Sequence, residues 1–303
     1  MPPGKIAVAV IHGIGNTPPT FADGMKEKLT QRFVAHGGRA EDLVVEPVYW
    51  SPVVEGREEE LLRRVEAGGT LRYEGLRQFM VEFAADAIAY QPTPNDRHVY
   101  DGIHAEVART LRTLAQKAGP KAPLCIVAHS LGTVVASNYV YDAQTEHGHV
   151  KHARKHPETP LLSGPVRAQM GDSPLERLET LSHLVTLGSP IALWSLRYPN
   201  ADPRKDYGVP ITVPSPLLDV HHPGLSAAGA GWTNVYDADD VIGYPLKGLN
   251  EAYARAVKED LQMNVGNALT SWNPLSHQYY WTDGGVNDAI ARRLAEAHRA
   301  MAR

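Results

Sequence analysis

The chain has 303 residues, 43% of them hydrophobic, which suits one large folded domain and excludes a disordered chain. A net charge of -4 without a long basic block excludes nucleic acid as an expected partner. The single cysteine, Cys125, rules out a disulfide within the chain, and no run of apolar residues is long enough for a membrane span, so no integral membrane association is expected.

The first residues show no basic-then-apolar leader pattern, and the chain reads as soluble and cytoplasmic. Residues 6–11 are nearly all apolar, as in an interior parallel strand covered on both faces. That strand ends in His12-Gly13-Ile14-Gly15, whose two glycines permit a tight loop with exposed backbone amides. His12 is expected to orient this loop rather than to act as a base. Met25, Leu29 and Phe33 recur at four-residue spacing and predict a helix over 23–34. The next strand is expected over 43–50, with Pro47 preventing its middle from pairing fully with two neighbours. From 51 to 97 no comparable strand occurs. Leu61, Leu62 and Val65, then Leu76, Phe79, Met80 and Phe83, give two helical stretches broken at Gly68-Gly69. This insertion either packs on the body or caps an active site.

A helix over 100–118 leads into the apolar strand 125–129, which stops abruptly at Ala128-His129-Ser130-Leu131-Gly132. Val134 and Val135 then continue at helical spacing to about Tyr141. The pattern is Gly-x-Ser-x-Gly with Ala128 in place of the first glycine. Small residues let strand and helix backbones approach, and the sharp turn aims the serine hydroxyl out of the sheet. The new helix points its free N–H groups at any oxyanion formed there. Ser130 is the candidate nucleophile.

Four histidines between 147 and 156 are interleaved with lysines and arginine and lack a patterned carboxylate. They read as a solvated loop, so no metal and no other cofactor is expected. Residues 157–173, rich in Pro, Gly and Ser, predict an extended connection. A strand over 183–187 ends at Gly188-Ser189-Pro190. The excursion 191–231 follows a strand tip, and Trp194, Leu196, Tyr198, Val213, Leu217 and Leu218 are expected to wall an apolar pocket. After a strand over 232–236, an acid can hold an imidazole in one tautomer; Asp240 is preferred and Asp239 is the alternative acid. With a last strand over 257–265 and a terminal helix over 283–301, His277 falls between them and completes a Ser, Asp, His order. A dinucleotide site is disfavoured, because residues 12–15 lack the full Gly-x-Gly-x-x-Gly fingerprint and Asn16-Thr17-Pro18-Pro19 starts a helix poorly.

On these residues the chain resembles the α/β-hydrolase superfamily, particularly its lipase-like and carboxylesterase-like members. The resemblance covers about 5–301 and rests on residues 11–15, the Ser130 elbow, Asp240 and His277. It implies an α/β-hydrolase fold over 1–303, a mostly parallel central sheet flanked by helices, with cap-like insertions at 51–97 and 191–231. It implies Ser130, Asp240 and His277 as catalytic residues, the amides of Leu131 and Ile14 as oxyanion hole, and His12, Gly13, Gly15, His129 and Gly132 in support. The expected chemistry is cofactor-free hydrolysis of small or lipid-like esters. Thioesters, amides and a noncatalytic binding role on the same scaffold are the alternatives. A carboxylate nucleophile is excluded by Ser130.

Overall fold

In a computed structural model the described residues are 4–13, 17–54, 64, 83–93, 95–145, 159–194, 211–266 and 274–302. Among these residues six strands form one sheet: β1 (Ile6–Ile11), β2 (Leu43–Val48), β3 (Leu124–His129), β4 (Leu181–Leu187), β5 (Gly231–Tyr236) and β6 (Val257–Gln262). Their order is β2-β1-β3-β4-β5-β6, and every neighbouring pair is parallel. Alternation of side chains along a strand feeds two cores at once. Ala7, Ala9 and Ile11 face one side with Ile126 and Leu184, whereas Val8, Val10, Val127 and Val185 face the other.

Helices cover both faces. On the first lie α2 (His98–Ala118) and α3 (Leu131–Thr145), presenting Ile103, Val107 and Leu111, and Val134, Val135 and Tyr139. On the second lie α1 (Asp23–Ala35), through Met25, Leu29 and Phe33, and the terminal helix α5 (Gly284–Met301), through Val286, Ile290 and Leu294. Asp283 caps α5 by accepting the amides of Gly285 and Val286. Among the described residues no helix is long and apolar enough to cross a membrane.

Several boundaries differ from the expectations. The strand expected over 43–50 stops at Val48, and β2 is an outer strand, which explains how it accommodates Pro47. The helix after Ser130 runs on to Thr145, and β6 ends at Gln262 rather than Val265. The extended connection expected over 157–173 contains a helix instead, α4 (Thr159–Arg167). Pro160 lies in its first turn, where a missing N–H costs nothing. Tertiary contact then holds the rest, because Val166 is buried and Ser163 bonds to α3. Of the expected insertion over 51–97, residues 83–89 are helical, while 55–63 and 65–82 lie outside the described residues.

The excursion 191–231 is corrected more substantially. Its start leaves the C-terminal end of β4, where Trp194 meets Phe83 edge-on at 6.4 Å. Leu196 and Tyr198 lie outside the described residues. From 211 onward the chain runs along the opposite edge of the sheet. The Ser215 amide donates to the carbonyl of Leu181 at the start of β4, and His222 donates to that of Lys121 ahead of β3. Val213 and Leu218 are buried there as core residues. A crossover between parallel strands must carry the chain back to the starting edge. Val213, Leu217 and Leu218 therefore cannot wall a pocket at the end where Ser130 lies.

A buried polar knot joins α2, α3 and α4. Asp142 accepts from the Tyr100 hydroxyl at 2.7 Å and the Ser163 hydroxyl at 2.6 Å. Burial pushes its carboxyl up from 3.8 to about 6, outweighing those bonds and the attraction of Arg97 and Arg167. The stabilisation therefore belongs to the protonated form: it is complete below about pH 4 and lost as pH rises through 6. Asp142→Asn stays neutral throughout. It should be more stable than the parent at pH 7.5, by at most about 3 kcal/mol, with the gain vanishing near pH 4. Paired thermal melts at the two pH values check this; a pH-independent difference would show that no buried charge is being removed.

Candidate active site

All six strands point the same way, so the loops leaving β1, β3, β4 and β5 gather at one edge of the sheet. Ser130 follows β3 directly with φ of +53°, the left-handed region that a non-glycine residue seldom enters. Three bonds hold it there. Its amide donates to the Leu187 carbonyl at 3.0 Å, and its carbonyl accepts from the Thr133 amide at 2.9 Å and the Thr133 hydroxyl at 2.7 Å. The Thr133 hydroxyl also lies 2.8 Å from that of Ser189, tying the turn to the loop after β4. Leu131 opens α3, so its amide belongs to the first turn, whose N–H groups have no acceptor within the helix. Gly13 packs against this turn, and a Cβ there would lie 2.7 Å from that of Ser130. Ile14 and Gly15 lie outside the described residues.

His277 comes from a short turn (Pro274–Gln278) just ahead of α5. Its Nε2 lies 2.9 Å from Ser130 Oγ, and its Nδ1 lies 3.0 and 2.9 Å from the two carboxylate oxygens of Asp240. Burial alone would raise the Asp240 carboxyl. Hydrogen bonding and attraction from His277, with donation from the Ile242 amide and the Tyr280 hydroxyl, overcome this and hold it below its ordinary value. An ionised carboxylate only accepts, so Nδ1 carries the ring proton and Nε2 is left to take one from the serine hydroxyl. All three side chains are buried. Such a shielded setting strengthens every electrostatic contact within it.

The two candidate acids differ in side-chain direction. Asp240 faces the imidazole, whereas Asp239 is exposed and donates its amide to Asp237. His12 lies beside these three side chains and bonds elsewhere. Its Nε2 accepts the Trp50 amide at 3.1 Å, its Nδ1–H donates to the Gly13 carbonyl, and its ring stacks on the Trp50 indole at 4.5 Å. Burial pushes it down to about 3, so it stays neutral and fixes the start of the loop after β1. His129 sits directly under the His277 turn, and burial pushes it too down to about 3.

Two residues with no assigned role in the sequence reading prove to be part of the site. Tyr280 bonds to Asp240. Gly188, at φ of +53°, is where a Cβ would fall 2.8 Å from an Asp240 oxygen and 3.1 Å from His277 Nδ1. The available signals were slight: Tyr280 stands three residues beyond the histidine, and Gly188 ends an apolar strand. Among the described residues no group of three or more His, Cys, Asp or Glu side chains could hold a metal ion, and the histidine-rich stretch 147–156 lies outside them. No protein-family model matches the chain, and none of the curated proteins is significantly similar to it.

Proposed function

We propose that this protein is a serine hydrolase of the α/β-hydrolase type that cleaves carboxylic esters through an acyl-enzyme. The observation that carries the reading is the unbroken line from Ser130 Oγ through both nitrogens of His277 to Asp240, each step 2.9–3.0 Å. A serine at a strained strand-to-helix turn, an acid after a later strand and a histidine before the last helix support the α/β-hydrolase type.

In this mechanism His277 Nε2 takes the Ser130 proton as Oγ attacks the ester carbonyl. Asp240 keeps the ring in the Nδ1–H tautomer and stabilises the imidazolium that forms. The Leu131 amide receives the developing oxyanion, and we assign the second donor to the Ile14 amide, as the resemblance implies. His277 returns its proton to the leaving alcohol. It then activates water, which releases the acid and restores Ser130.

The test is a burst assay with a p-nitrophenyl ester, followed by mapping of the trapped acyl group. Stoichiometric release with the acyl group on the Ser130 peptide is the expected result. Steady binding without a burst, and no modified peptide, would instead favour a noncatalytic role on this scaffold. Matched thioester and amide substrates rank the bond type.

A further inference from the structure

His277 is carried by neither a strand nor a long helix, so something must hold its turn at the distance that Ser130 requires. We propose that His129 and Tyr280 are positioning residues that clamp the base from two sides: His129 grips its backbone, and Tyr280 grips its carboxylate partner. The proposal rests on the serine-hydrolase reading and deepens it.

His129 is the last residue of β3, and its Nε2 lies 2.7 Å from the carbonyl oxygen of His277. A carbonyl only accepts, so this nitrogen carries the proton and donates. The two rings also lie face to face at a tilt, with centroids 4.8 Å apart, and Trp281 closes over His129 edge-on at 5.3 Å. Consecutive residues therefore hold one histidine at two points. His129 bonds its main chain, and Ser130 meets its ring at 2.9 Å. Because His129 ends an interior strand, the spacing of base and nucleophile is referred to the sheet itself and not to the turn.

Tyr280 does the same for the acid. Its hydroxyl accepts the Asp237 amide at 2.9 Å, and an amide can only donate. The phenolic proton is thus committed to Asp240 Oδ2, 3.0 Å away. The Ile242 amide donates to the other oxygen at 2.9 Å. Held at both oxygens, the carboxylate cannot rotate away from His277 Nδ1. Groups facing the His277 ring include Ser130, Asp240, Tyr280 and the neutral His129.

A role in packing alone predicts that shape suffices; the clamp predicts that the hydrogen bonds matter. The experiment measures acylation of Ser130 by a p-nitrophenyl ester in His129→Leu, His129→Gln and Tyr280→Phe. His129→Leu should acylate about a hundredfold more slowly, the cost of a base displaced by roughly an ångström. Glutamine can place an amide N–H near the lost Nε2, and His129→Gln should recover most of that rate. Tyr280→Phe should lower the maximal acylation rate about tenfold with the half-saturating ester concentration unchanged, because Asp240 without the phenolic bond no longer holds the His277 ring in line while the ester-binding surface is untouched. Equal rates in the leucine and glutamine variants, or wild-type rates in the leucine and phenylalanine variants, overturn the clamp. Should the leucine variant not fold, Tyr280→Phe decides alone, an unchanged maximal rate counting against the proposal. Failure of the parent protein to acylate at Ser130 would instead remove the underlying reading.

Discussion

Ser130→Ala is expected to abolish the acylation burst, and His277→Ala to slow it by about 10⁴-fold or more. Without the imidazole a serine hydroxyl is a poor nucleophile near neutral pH, since no group remains to accept its proton. Asp240→Asn should cost on the order of 10⁴-fold although it removes no volume. An amide there can donate to Nδ1, which favours the tautomer with its proton on Nε2, the wrong nitrogen for a base. Asp239→Asn is the matched control: its side chain is exposed and away from the ring, and the rate should stay within about twofold, as for surface substitutions generally. Stopped-flow measurement of the burst, with circular dichroism to confirm folding, checks all four variants. A full burst in Ser130→Ala would place the nucleophile elsewhere.

The second large effect concerns Gly132, the second residue of α3. A Cβ there would lie 2.3 Å from the His12 carbonyl oxygen and 2.8 Å from that of Ile11. Both neighbours are backbone, so no side chain can swing aside. Gly132→Ala must push the start of α3 away from β1, moving Ser130 and the loop after β1 apart together. A loss of about 3 kcal/mol or more of stability is expected, with acylation falling further than stability alone explains. Gly24→Ala provides the contrast. Gly24 is exposed in α1, a Cβ there meets no other part of the chain within 4 Å, and the helix should gain up to about 1 kcal/mol from the better helix former. Urea denaturation of the two alanine variants separates the cases, and a Gly132→Ala protein as stable as its parent would show that the helix start yields cheaply.

The centre of the sheet was legible in the sequence because strands covered on both faces tend to be apolar almost throughout, as in residues 6–11 and 124–128, whereas β4 and β5 mix in buried polar residues that bond to one another, Thr186 with Asn234 among them. The turn at Ser130 was legible for a related reason: a close strand-to-helix contact demands small residues at fixed offsets. What depends on distant parts of the chain was not. Helix α4 carries two prolines and a glycine, and one of its anchors is an Asp142 contact some 20 residues back. The course of 211–230 follows from strand direction, a property of the assembled sheet that no local pattern records. Asp239 and Asp240 are chemically equivalent neighbours, distinguished only by which way a loop turns. Tyr280 gains its role because an amide 43 residues earlier fixes the direction of its hydroxyl proton.

The placement of β2 and β6 at the two sides of the sheet has a further consequence, for behaviour at high concentration. An outer strand exposes a ladder of backbone groups that a second copy of the chain could extend, the first step towards aggregation. On β2 that ladder is broken at Pro47, which has no N–H to offer and whose carbonyl already accepts the Thr110 hydroxyl at 3.1 Å. On β6 the run Val257–Gln262 places Lys258, Glu259 and Asp260 in succession, with Glu259 paired to Arg293 and Asp260 receiving the Leu246 and Lys247 amides. Another chain docking there would have to break these contacts and strip water from charges before gaining a single ladder bond. Stacking of copies strand against strand is thereby disfavoured on both flanks, while the interior strands β1 and β3 keep the apolar runs 6–11 and 124–128 that would otherwise make such stacking a hazard.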